Sequence, residues 1–309
     1  MKKRWMWFHD RFEPTEVHLH GFSDYIAGKE TEYQKIEILQ SPFFGKMLVI
    51  DGDVQSSERD EYIYHESLVH PALTILKKPE NVLILGGGEG ATLREILKHK
   101  TIKRVTMVDI DRESIEFAKK HLKEWHKGAF ESEKLNLILG DALKIVNELK
   151  EGSFDAIISD VTEPFEGGPS YRLFTREFFE KLKRLLKKDG VFSLQASMLR
   201  NVTYELHRAI HWTLKEVFHL VFSYYSYVPS FDTTWGFCLA SDELNPEDFS
   251  IEEIDRRIGE RIEGELRFYD GETHKKLFLL PKDIREILKK KTNIIEEDKP
   301  FVLPKKNSL

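Results

Sequence analysis

The sequence predicts an α/β protein, with a doubly wound, Rossmann-like parallel sheet preceded by a small antiparallel β domain. From about residue 81 onward, short apolar runs alternate with stretches of helical character. This is the pattern of parallel strands joined by crossover helices. Before that point, short alternating runs are separated by turn residues, which favours hairpins.

Residues 1–70 form the predicted β domain. Its runs 32–38 and 44–50 are joined by a turn-rich segment, and Asp-Gly-Asp follows at 51–53. Residues 59–76 have the spacing of a connecting helix, in which Pro71 predicts a break or bend. Because a few hairpins cannot cover their own edges, we expect this domain to mediate a homodimer or homotetramer.

Residues 71–245 form the predicted sheet domain. Its strands are expected at 82–85, 105–108, 135–139, 154–159 and 191–195, with helices near 91–99, 112–124, 142–150 and 174–187. One more helix and the runs 218–228 and 235–240 indicate a terminal antiparallel pair. Residues 246–309 are charged and helical in period, and we expect them to pack on the sheet domain as an extension.

Composition excludes several classes of protein. The 309 residues are 40% hydrophobic with a net charge of -6, which indicates a globular protein that tolerates cationic ligands and does not favour nucleic acid. No run has the length of a membrane span or signal peptide, so a cytoplasmic protein is expected. The single cysteine, Cys238, lies in an apolar run as a core thiol. His207 and His211 have i, i+4 spacing but no adjoining HExxH glutamate, which indicates a helix face and no metal site.

The strand at 82–85 runs into Gly86, Gly87 and Gly88, followed by Glu89 and a helix. Glycines let the backbone approach a ligand closely, and the start of the helix offers unpaired N–H groups. This corner is typical of nucleotide sites, although the same glycines also occur in ordinary α/β turns.

Each of the first four strands of this sheet ends at or near a carboxylate: Glu89, Asp109, Asp141 and Asp160. One such acid is most simply a helix cap, but four at one sheet edge predict a ligand crevice. Asp109, about 20 residues past the glycines, is placed to meet ribose hydroxyls. Asp141, with the backbone of Ala142, is placed to meet an adenine edge. Because Glu89 would repel a pyrophosphate, a cationic sulfonium nucleoside fits better than NAD.

These residues carry a resemblance to a known family. GGGEGATLRE, MVDID, GDA and DVTEP, preceded by DVQSSERDEYIYHE, resemble the aminopropyltransferases that make spermidine and related polyamines. The resemblance extends from about Glu32 to beyond Asp242. Within it, EGGPSYRLFT, VPSFDTTWGF and DRRIGERIEGEL are similar to the plant-type thermospermine branch. DVQSSERDEYIYHE and FLLPKD are similar to the triamine or agmatine branch of thermophilic bacteria.

The resemblance implies a fold of the methyltransferase type and a transferase with decarboxylated S-adenosylmethionine as co-substrate and no resident cofactor or metal. Together with the glycine turn, it assigns the donor to Gln34, Gly86, Gly87, Glu89, Asp109, Asp141 and Ala142. The acceptor amine is assigned to Tyr64, His65, Asp160 and Glu163, where the family usually has Asp at the position of Glu163. Phe231 and Trp235 are candidates either for substrate contact or for core and lid packing, and His65 has the alternative of a buried helix histidine.

The chemistry explains these residue types. An amine attacks the carbon beside a sulfonium only after losing its proton, and polyamine amines are protonated at neutral pH. Asp160, assisted by Tyr64, is the predicted base. Glu89 is predicted to bind the donor's ammonium and to repel the carboxylate of intact S-adenosylmethionine.

Spermidine is the predicted acceptor, with thermospermine as product. A triamine needs more anionic or aromatic partners than a diamine, and the residues expected to wall its channel are Glu163, Glu166, Tyr171, Asp232 and Trp235. Agmatine and putrescine are the alternative acceptors. Two rival functions are a small-molecule methyltransferase on the same fold and a polyamine-binding protein without turnover.

Overall fold

A computed structural model describes residues 5–13 and 16–304. Two antiparallel sheets come first: a hairpin of β1 and β2, and a four-stranded sheet of β3 to β6 in chain order. The expected antiparallel β layer is confirmed, and the hairpin β1–β2 is an addition to it. The strands are β1 Met6–Glu13, β2 Glu16–Phe22, β3 Asp24–Glu30, β4 Lys35–Ser41, β5 Gly45–Ile50 and β6 Asp53–Ser57.

Helix α1, Glu61–Ile75, connects these sheets to the rest of the chain. The predicted break at Pro71 is wrong, because the helix continues past it. Pro71 has no N–H for the carbonyl of Ser67. The hydroxyl of Tyr224 donates to that carbonyl instead, at 2.9 Å, and Ser193 Oγ donates to the next one, Leu68 O, at 2.8 Å. Side chains of the neighbouring sheet therefore donate hydrogen bonds to the helix carbonyls where Pro71 interrupts the backbone hydrogen bonds of the helix.

The predicted doubly wound sheet is confirmed. Seven strands lie in the order β12-β13-β11-β10-β7-β8-β9, and β7 to β11 run parallel. β13 lies antiparallel to both β11 and β12, which confirms the terminal pair. The strands are β7 Asn81–Gly86, β8 Arg104–Asp109, β9 Leu135–Leu139, β10 Phe154–Asp160, β11 Leu186–Met198, β12 Leu220–Val228 and β13 Thr233–Ser241.

The crossover helices agree with the predicted positions except at 142–150, where only one turn forms. There the side-chain amide of Asn147 donates from Nδ2 to the carbonyl of Leu143 at 2.8 Å. This side chain therefore competes with the backbone N–H for that carbonyl. The helices are α2 Ala91–Leu97, α3 Arg112–His121, α4 Lys123–His126, α5 Ala142–Ile145, α6 Arg176–Leu185 and α7 Glu205–Val217.

The charged C-terminal region is helical, as predicted, with α8 Ile251–Arg261, α9 Gly271–Leu277 and α10 Lys282–Lys289. None of the described helices combines the length and the apolar character needed to span a bilayer.

The core lies on both faces of the large sheet. Along β7, Val82 and Ile84 pack with α1 on one face, while Leu83 and Leu85 pack with α6 and α7 on the other. A strand that is buried on both faces has a continuous apolar sequence, and the apolar run at 82–85 therefore predicted this strand. The carboxyl edge of the parallel strands is then the place where polar side chains can gather.

Candidate active site

A cavity of about 660 Å³ opens at the carboxyl edge of the parallel strands, as the general rule for such sheets places it. The N-terminal sheets cover one side of it, since Gln34 of the loop before β4 and Asp53 of β6 belong to its wall. All but one of the residues predicted as catalytic, donor-binding or acceptor-binding line this cavity. They are Gln34, Tyr64, Gly86, Gly87, Glu89, Asp109, Asp141, Ala142, Asp160, Glu163, Phe231 and Trp235.

The glycine turn joins the ends of two strands. Gly86 and Gly87 both have φ of 75°, a region that favours glycine. A Cβ on Gly86 would lie 2.4 Å from the carbonyl oxygen of Asp160, and Gly87 N–H donates to that oxygen at 2.9 Å. Glycine is therefore required at 86 for β7 to reach β10, in addition to any approach of a ligand.

The predicted ribose side of the cavity contains two acids at the end of β8. The N–H of Asp111 donates to Asp109 Oδ1 at 2.8 Å, and Gln34 Nε2 donates to Asp111 Oδ2 at 3.1 Å. Burial raises the pKa of Asp109 to about 7, and the nearby carboxylates of Asp111 and Asp160 act in the same direction. Asp111 was not predicted as a site residue. Its helix-capping position after the strand was the available signal.

Asp141 serves two purposes at the end of β9. Its Oδ1 accepts the N–H of Leu143 at 2.9 Å, which caps α5. The same residue and Ala142 line the cavity. The capping interpretation and the ligand interpretation of this acid are thus compatible.

Glu89 is held by a donor on each oxygen. Ser56 Oγ donates to Oε2 at 2.8 Å, and His65 Nε2 lies 2.5 Å from Oε1. Trp125 Nε1 in turn donates to Ser56 Oγ at 2.9 Å. The carboxylate therefore has a fixed position at the cavity wall.

His65 is the predicted residue that does not line the cavity. Its side chain is buried behind Glu89, and its Nδ1 lies 2.8 Å from Glu61 Oε2. Burial alone would lower the pKa of His65, but Glu89 and Glu61 raise it well above its ordinary value. Arg94 donates to both oxygens of Glu61 through its two terminal nitrogens, at 3.0 Å to Oε1 and 2.8 Å to Oε2. The alternative of a buried helix histidine is correct, since carboxylates on both sides occupy the ring nitrogens.

Asp160 ends β10 and meets two hydroxyl donors. Tyr64 donates to Oδ1 at 2.8 Å, and Thr92 donates to Oδ2 at 2.5 Å. Burial raises the pKa of Tyr64 well above its ordinary value, and the charge of Asp160 adds to the effect. The phenol is therefore a hydrogen-bond donor across the neutral range.

Glu163 lies on the loop 161–170, which follows β10. Its carboxylate accepts a hydrogen bond from Ser197 Oγ, and its carbonyl accepts one from Ser170 Oγ at 2.8 Å. Ser197 has φ of 64°, an uncommon value for a residue other than glycine and one that tends to mark functional sites. Sequence patterns do not report this conformation.

Aromatic rings lie at the predicted acceptor side of the cavity. The ring centroid of Phe231 lies 5.1 Å from that of Trp235 and 6.2 Å from that of Tyr64. The loop that carries Phe231 is fixed to the start of α1, because Asp60 accepts hydrogen bonds from the N–H and the hydroxyl of Ser230 at 2.6 and 2.9 Å. Both segments expected to wall the channel border the cavity, with Glu163 and Trp235 in its lining, whereas Glu166, Tyr171 and Asp232 are outside that lining. Their sequence neighbours Phe165, Ser170 and Phe231 line the cavity instead.

Several cavity residues were not predicted. Asp10 and Val17 come from the hairpin β1–β2, Gln55 from β6 and Glu205 from the start of α7. Gln55 stands within the quoted motif DVQSSERDEYIYHE, which was the available signal for it. The others lie far from the quoted strand-end motifs, so only the folded chain brings them together.

His207 and His211 belong to a buried polar cluster away from this site. His207 Nε2 and His211 Nδ1 each lie 2.9 Å from Ser223 Oγ. Burial lowers their pKa values to about 3 and about 4. Among the described residues, no group of three or more His, Cys, Asp and Glu side chains is arranged to hold a metal ion.

Two family models together match most of the chain. Residues 61–250 match the model of the spermine/spermidine synthase domain, and residues 6–58 match the spermidine synthase tetramerisation domain. The polyamine aminopropyltransferase of Sulfurisphaera tokodaii is 49% identical over 300 residues, covering 97% of this chain and 99% of that protein. The polyamine aminopropyltransferase of Saccharolobus solfataricus is 46% identical over 301 residues, with the same coverage of each.

Solved structures show the same relation. A spermidine synthase in complex with the transition state analogue AdoDATO has a TM-score of 0.86 and 27% identity, covering 94% of this chain and 98% of its own. Spermidine synthase from Thermotoga maritima has a TM-score of 0.83 and 27% identity, covering 94% of this chain and 97% of its own.

The fold and the family matches define the class, a transferase on a Rossmann-like sheet. Within that class, the chain belongs to the spermine/spermidine synthase family of polyamine aminopropyltransferases. Decarboxylated S-adenosylmethionine is its co-substrate. The match of residues 6–58 supports assembly of several subunits.

Proposed function

We propose that this enzyme transfers the aminopropyl group of decarboxylated S-adenosylmethionine to spermidine, forming thermospermine and releasing methylthioadenosine. One observation carries the reaction. The carboxylate of Asp160, held by Tyr64 and Thr92, shares a single cavity with the carboxylates of Glu89 and Asp109. The acids that we propose as base, as ammonium partner and as ribose partner thus lie in one cavity.

The donor lies along the ends of β7, β8 and β9 in this proposal. Asp109 accepts hydrogen bonds from the ribose hydroxyls with Gln34 beside it, and Asp141 and Ala142 meet the adenine edge. Glu89 binds the ammonium of the aminopropyl group. The two fixed oxygens of Glu89 support this role, because a positioned carboxylate discriminates better than a mobile one. The carboxylate of intact S-adenosylmethionine would meet the same charge and be repelled.

The acceptor amine arrives as an ammonium and must lose a proton before it attacks. Asp160 takes that proton, and Tyr64 keeps the carboxylate oriented. The nitrogen lone pair then forms a bond to the carbon beside the sulfonium. The carbon–sulfur bond breaks, and its electron pair remains on sulfur as the neutral thioether of methylthioadenosine. Positioning of the two substrates supplies much of the rate acceleration.

Spermidine is favoured as acceptor by the acids beyond Asp160. Glu163, Asp10 and Glu205 all line the cavity, and a triamine has one more ammonium to neutralise than a diamine. Phe231 and Trp235 add aromatic faces for cation–π contact. Thermospermine forms when spermidine's aminopropyl end attacks, and attack by its aminobutyl end would give spermine. The residues that fix the direction of the chain therefore decide the product.

A parallel assay tests the proposal. The decarboxylated donor is offered with putrescine, agmatine, cadaverine, norspermidine and spermidine, and each product is identified by chromatography that resolves the two tetraamine isomers. Thermospermine as the main product is expected. Spermine as the main product, or efficient use of putrescine or agmatine with little turnover of spermidine, would contradict the proposed acceptor. Methyl transfer from S-adenosylmethionine, or the absence of any turnover, would contradict the reaction itself.

A further inference from the structure

The last described segment of the chain reaches the cavity from outside the part that matches the synthase domain, which ends at residue 250. We call residues 295–304 the C-terminal strap. We propose that the strap is a part of the active site: Phe301 and Leu303 complete the apolar wall around the donor's base, and the strap backbone positions the loop that carries Glu163. This inference rests on the proposed function, which supplies the nucleoside that the wall would contact.

The start of the strap is fixed to the sheet domain. Ile295 is 2% exposed, its N–H donates to Thr213 Oγ1 at 2.9 Å, and its carbonyl accepts the N–H of Arg176 at 2.8 Å. Arg176 also forms an ion pair with Glu296 at 2.9 Å. The segment beyond residue 295 therefore leaves from a defined point on α6 and α7.

The end of the strap pairs with the loop 161–170. The N–H of Leu303 donates to the carbonyl of Pro164, and the N–H of Glu166 donates to the carbonyl of Leu303, both at 2.8 Å. These two bonds make a short parallel bridge between Phe165 and Leu303. They flank Glu163 on its C-terminal side, so the strap limits where that carboxylate can lie.

Strap side chains alternate as they do in a strand. Phe301 and Leu303 line the cavity and pack against the core cluster that includes Leu173, with Ala142 also packed on it. Val302, between them, is 41% exposed. Phe301, Leu303 and Pro304 thus border the cavity while Val302 faces solvent, which gives a matched control within the strap.

The chemistry of this wall fits a base better than a polyamine. The acids of the cavity, Glu89, Asp160 and Glu163, suit ammonium groups, whereas Phe301 and Leu303 offer only apolar area. A purine has apolar faces to bury, and pockets for such rings are usually apolar with a few polar groups at the edge. Asp141 and the backbone of Ala142 would supply that polar edge, and Ala142 packs on the same core cluster as Phe301 and Leu303.

The side-chain contribution is tested with the double variant Phe301→Ala/Leu303→Ala and the control Val302→Ala. Affinity for methylthioadenosine is measured by calorimetry well below the unfolding temperature of each protein. Loss of buried apolar contact predicts affinity about tenfold weaker or more in the double variant, no change in the control, and partial rescue in Phe301→Leu/Leu303→Ala. If the double variant has a lower unfolding temperature but unchanged affinity for methylthioadenosine, Phe301 and Leu303 only stabilise the fold. That result would overturn their proposed contact with the nucleoside.

The backbone contribution is tested by Leu303→Pro, which cannot donate to Pro164, against Leu303→Ala, which can. The proline variant is expected to show faster amide hydrogen exchange in residues 161–170 and a KM for the acceptor about tenfold higher, with little further loss of methylthioadenosine affinity. Equal exchange and equal KM in the two variants would overturn the positioning role. If the wild-type enzyme neither binds methylthioadenosine nor transfers an aminopropyl group, the proposed function fails before the strap is tested.

Discussion

Asp160 is positioned by hydroxyl groups on both of its oxygens. Tyr64 and Thr92 are both neutral donors, at 2.8 and 2.5 Å. In the proposed reaction, the carboxylate between them meets the acceptor ammonium. The two hydrogen bonds therefore fix the geometry of the proposed base.

Replacement of Asp160 by asparagine tests this role. Asp160→Asn keeps the shape and can still hydrogen-bond, but it cannot accept the amine's proton. We expect kcat to fall roughly 100-fold or more, as for other general bases, while affinity for methylthioadenosine stays within about twofold of wild type. Steady-state kinetics and calorimetry measure the two quantities. A kcat near the wild-type value would contradict the assignment.

The raised pKa of Asp109 predicts that nucleoside binding depends on pH. Burial raises the pKa of Asp109 to about 7, so the carboxyl is partly protonated at neutral pH. Ribose hydroxyls that donate to the carboxylate favour its ionised form and lower the pKa in the complex. Binding of methylthioadenosine should therefore release a proton near pH 7, and affinity should rise as the pH increases from 6 to 8.

Calorimetry in two buffers with different ionisation enthalpies counts the released protons. The control is Asp109→Asn, which has no titrating carboxyl at this position and should bind more weakly with a flat pH profile. The same proton release in Asp109→Asn and the wild type would assign the effect to another group and contradict the prediction.

At the scale of elements, helix α1 depends on a residue more than 150 positions away. Tyr224 is fully buried and donates to Ser67 O, the carbonyl that Pro71 leaves without its usual partner. Tyr224→Phe should destabilise the protein by about 1–2 kcal/mol, because a buried carbonyl then loses its hydrogen bond. Equilibrium unfolding in urea measures the difference in the free energy of unfolding.

Pro71→Ala provides the control, because alanine restores the missing N–H. In that background, Tyr224→Phe should cost clearly less than in the wild type, which appears as a coupling energy in the double-mutant cycle. An equal cost in both backgrounds would mean that Tyr224 stabilises the core without supporting the helix at Pro71.

The same helix shows what the sequence could predict and what it could not. The helix itself and Tyr64 were predicted, since apolar spacing and a family motif are local signals. Its continuity through Pro71 was not, because the compensating hydroxyl of Tyr224 comes from a distant strand. His65, the next residue after Tyr64, faces Glu61 and Glu89 behind the cavity wall. One step along a helix turns a side chain by roughly 100°, and sequence adjacency does not report that turn.

The strand-end acids were predictable for a related reason. Parallel strands place their carboxyl ends along one edge, so Glu89, Asp109, Asp141 and Asp160 come together once the strands are recognised. Asp10 and Phe301 come from the two ends of the chain and follow no such rule. Their place in the cavity depends on how the hairpin and the strap pack on the sheet domain.

At the scale of the whole molecule, the hairpin β1–β2 has one apolar outer face. Trp7 is 60% exposed and Leu19 is 57% exposed, and alternation puts them on the face opposite to the buried Asp10 and His20. Exposed apolar faces of this kind mark contact surfaces. The match of this region to a tetramerisation domain supports an interface between copies of the chain.

Substitution on this face should reduce the size of the assembly. We expect Trp7→Asp/Leu19→Asp to sediment as a smaller species than the wild type at micromolar concentration, because buried carboxylates at an apolar interface are costly. The control is Leu279→Asp, which introduces one carboxylate at a leucine 75% exposed near the C-terminal helices. Circular dichroism shows whether each variant is folded.

Assembly also affects the site, because the inner face of the same hairpin contributes Asp10 to the cavity. A hairpin that no longer contacts a neighbouring subunit loses part of its stabilising packing, and isolated two-stranded hairpins are only marginally stable in water. The dissociated variant should therefore show a higher KM for the polyamine acceptor, with a smaller change in affinity for methylthioadenosine, whose predicted contacts lie mainly on the sheet domain. An unchanged sedimentation coefficient would contradict the interface. A smaller species with wild-type KM for the acceptor would show that the hairpin keeps Asp10 in place without a neighbouring subunit.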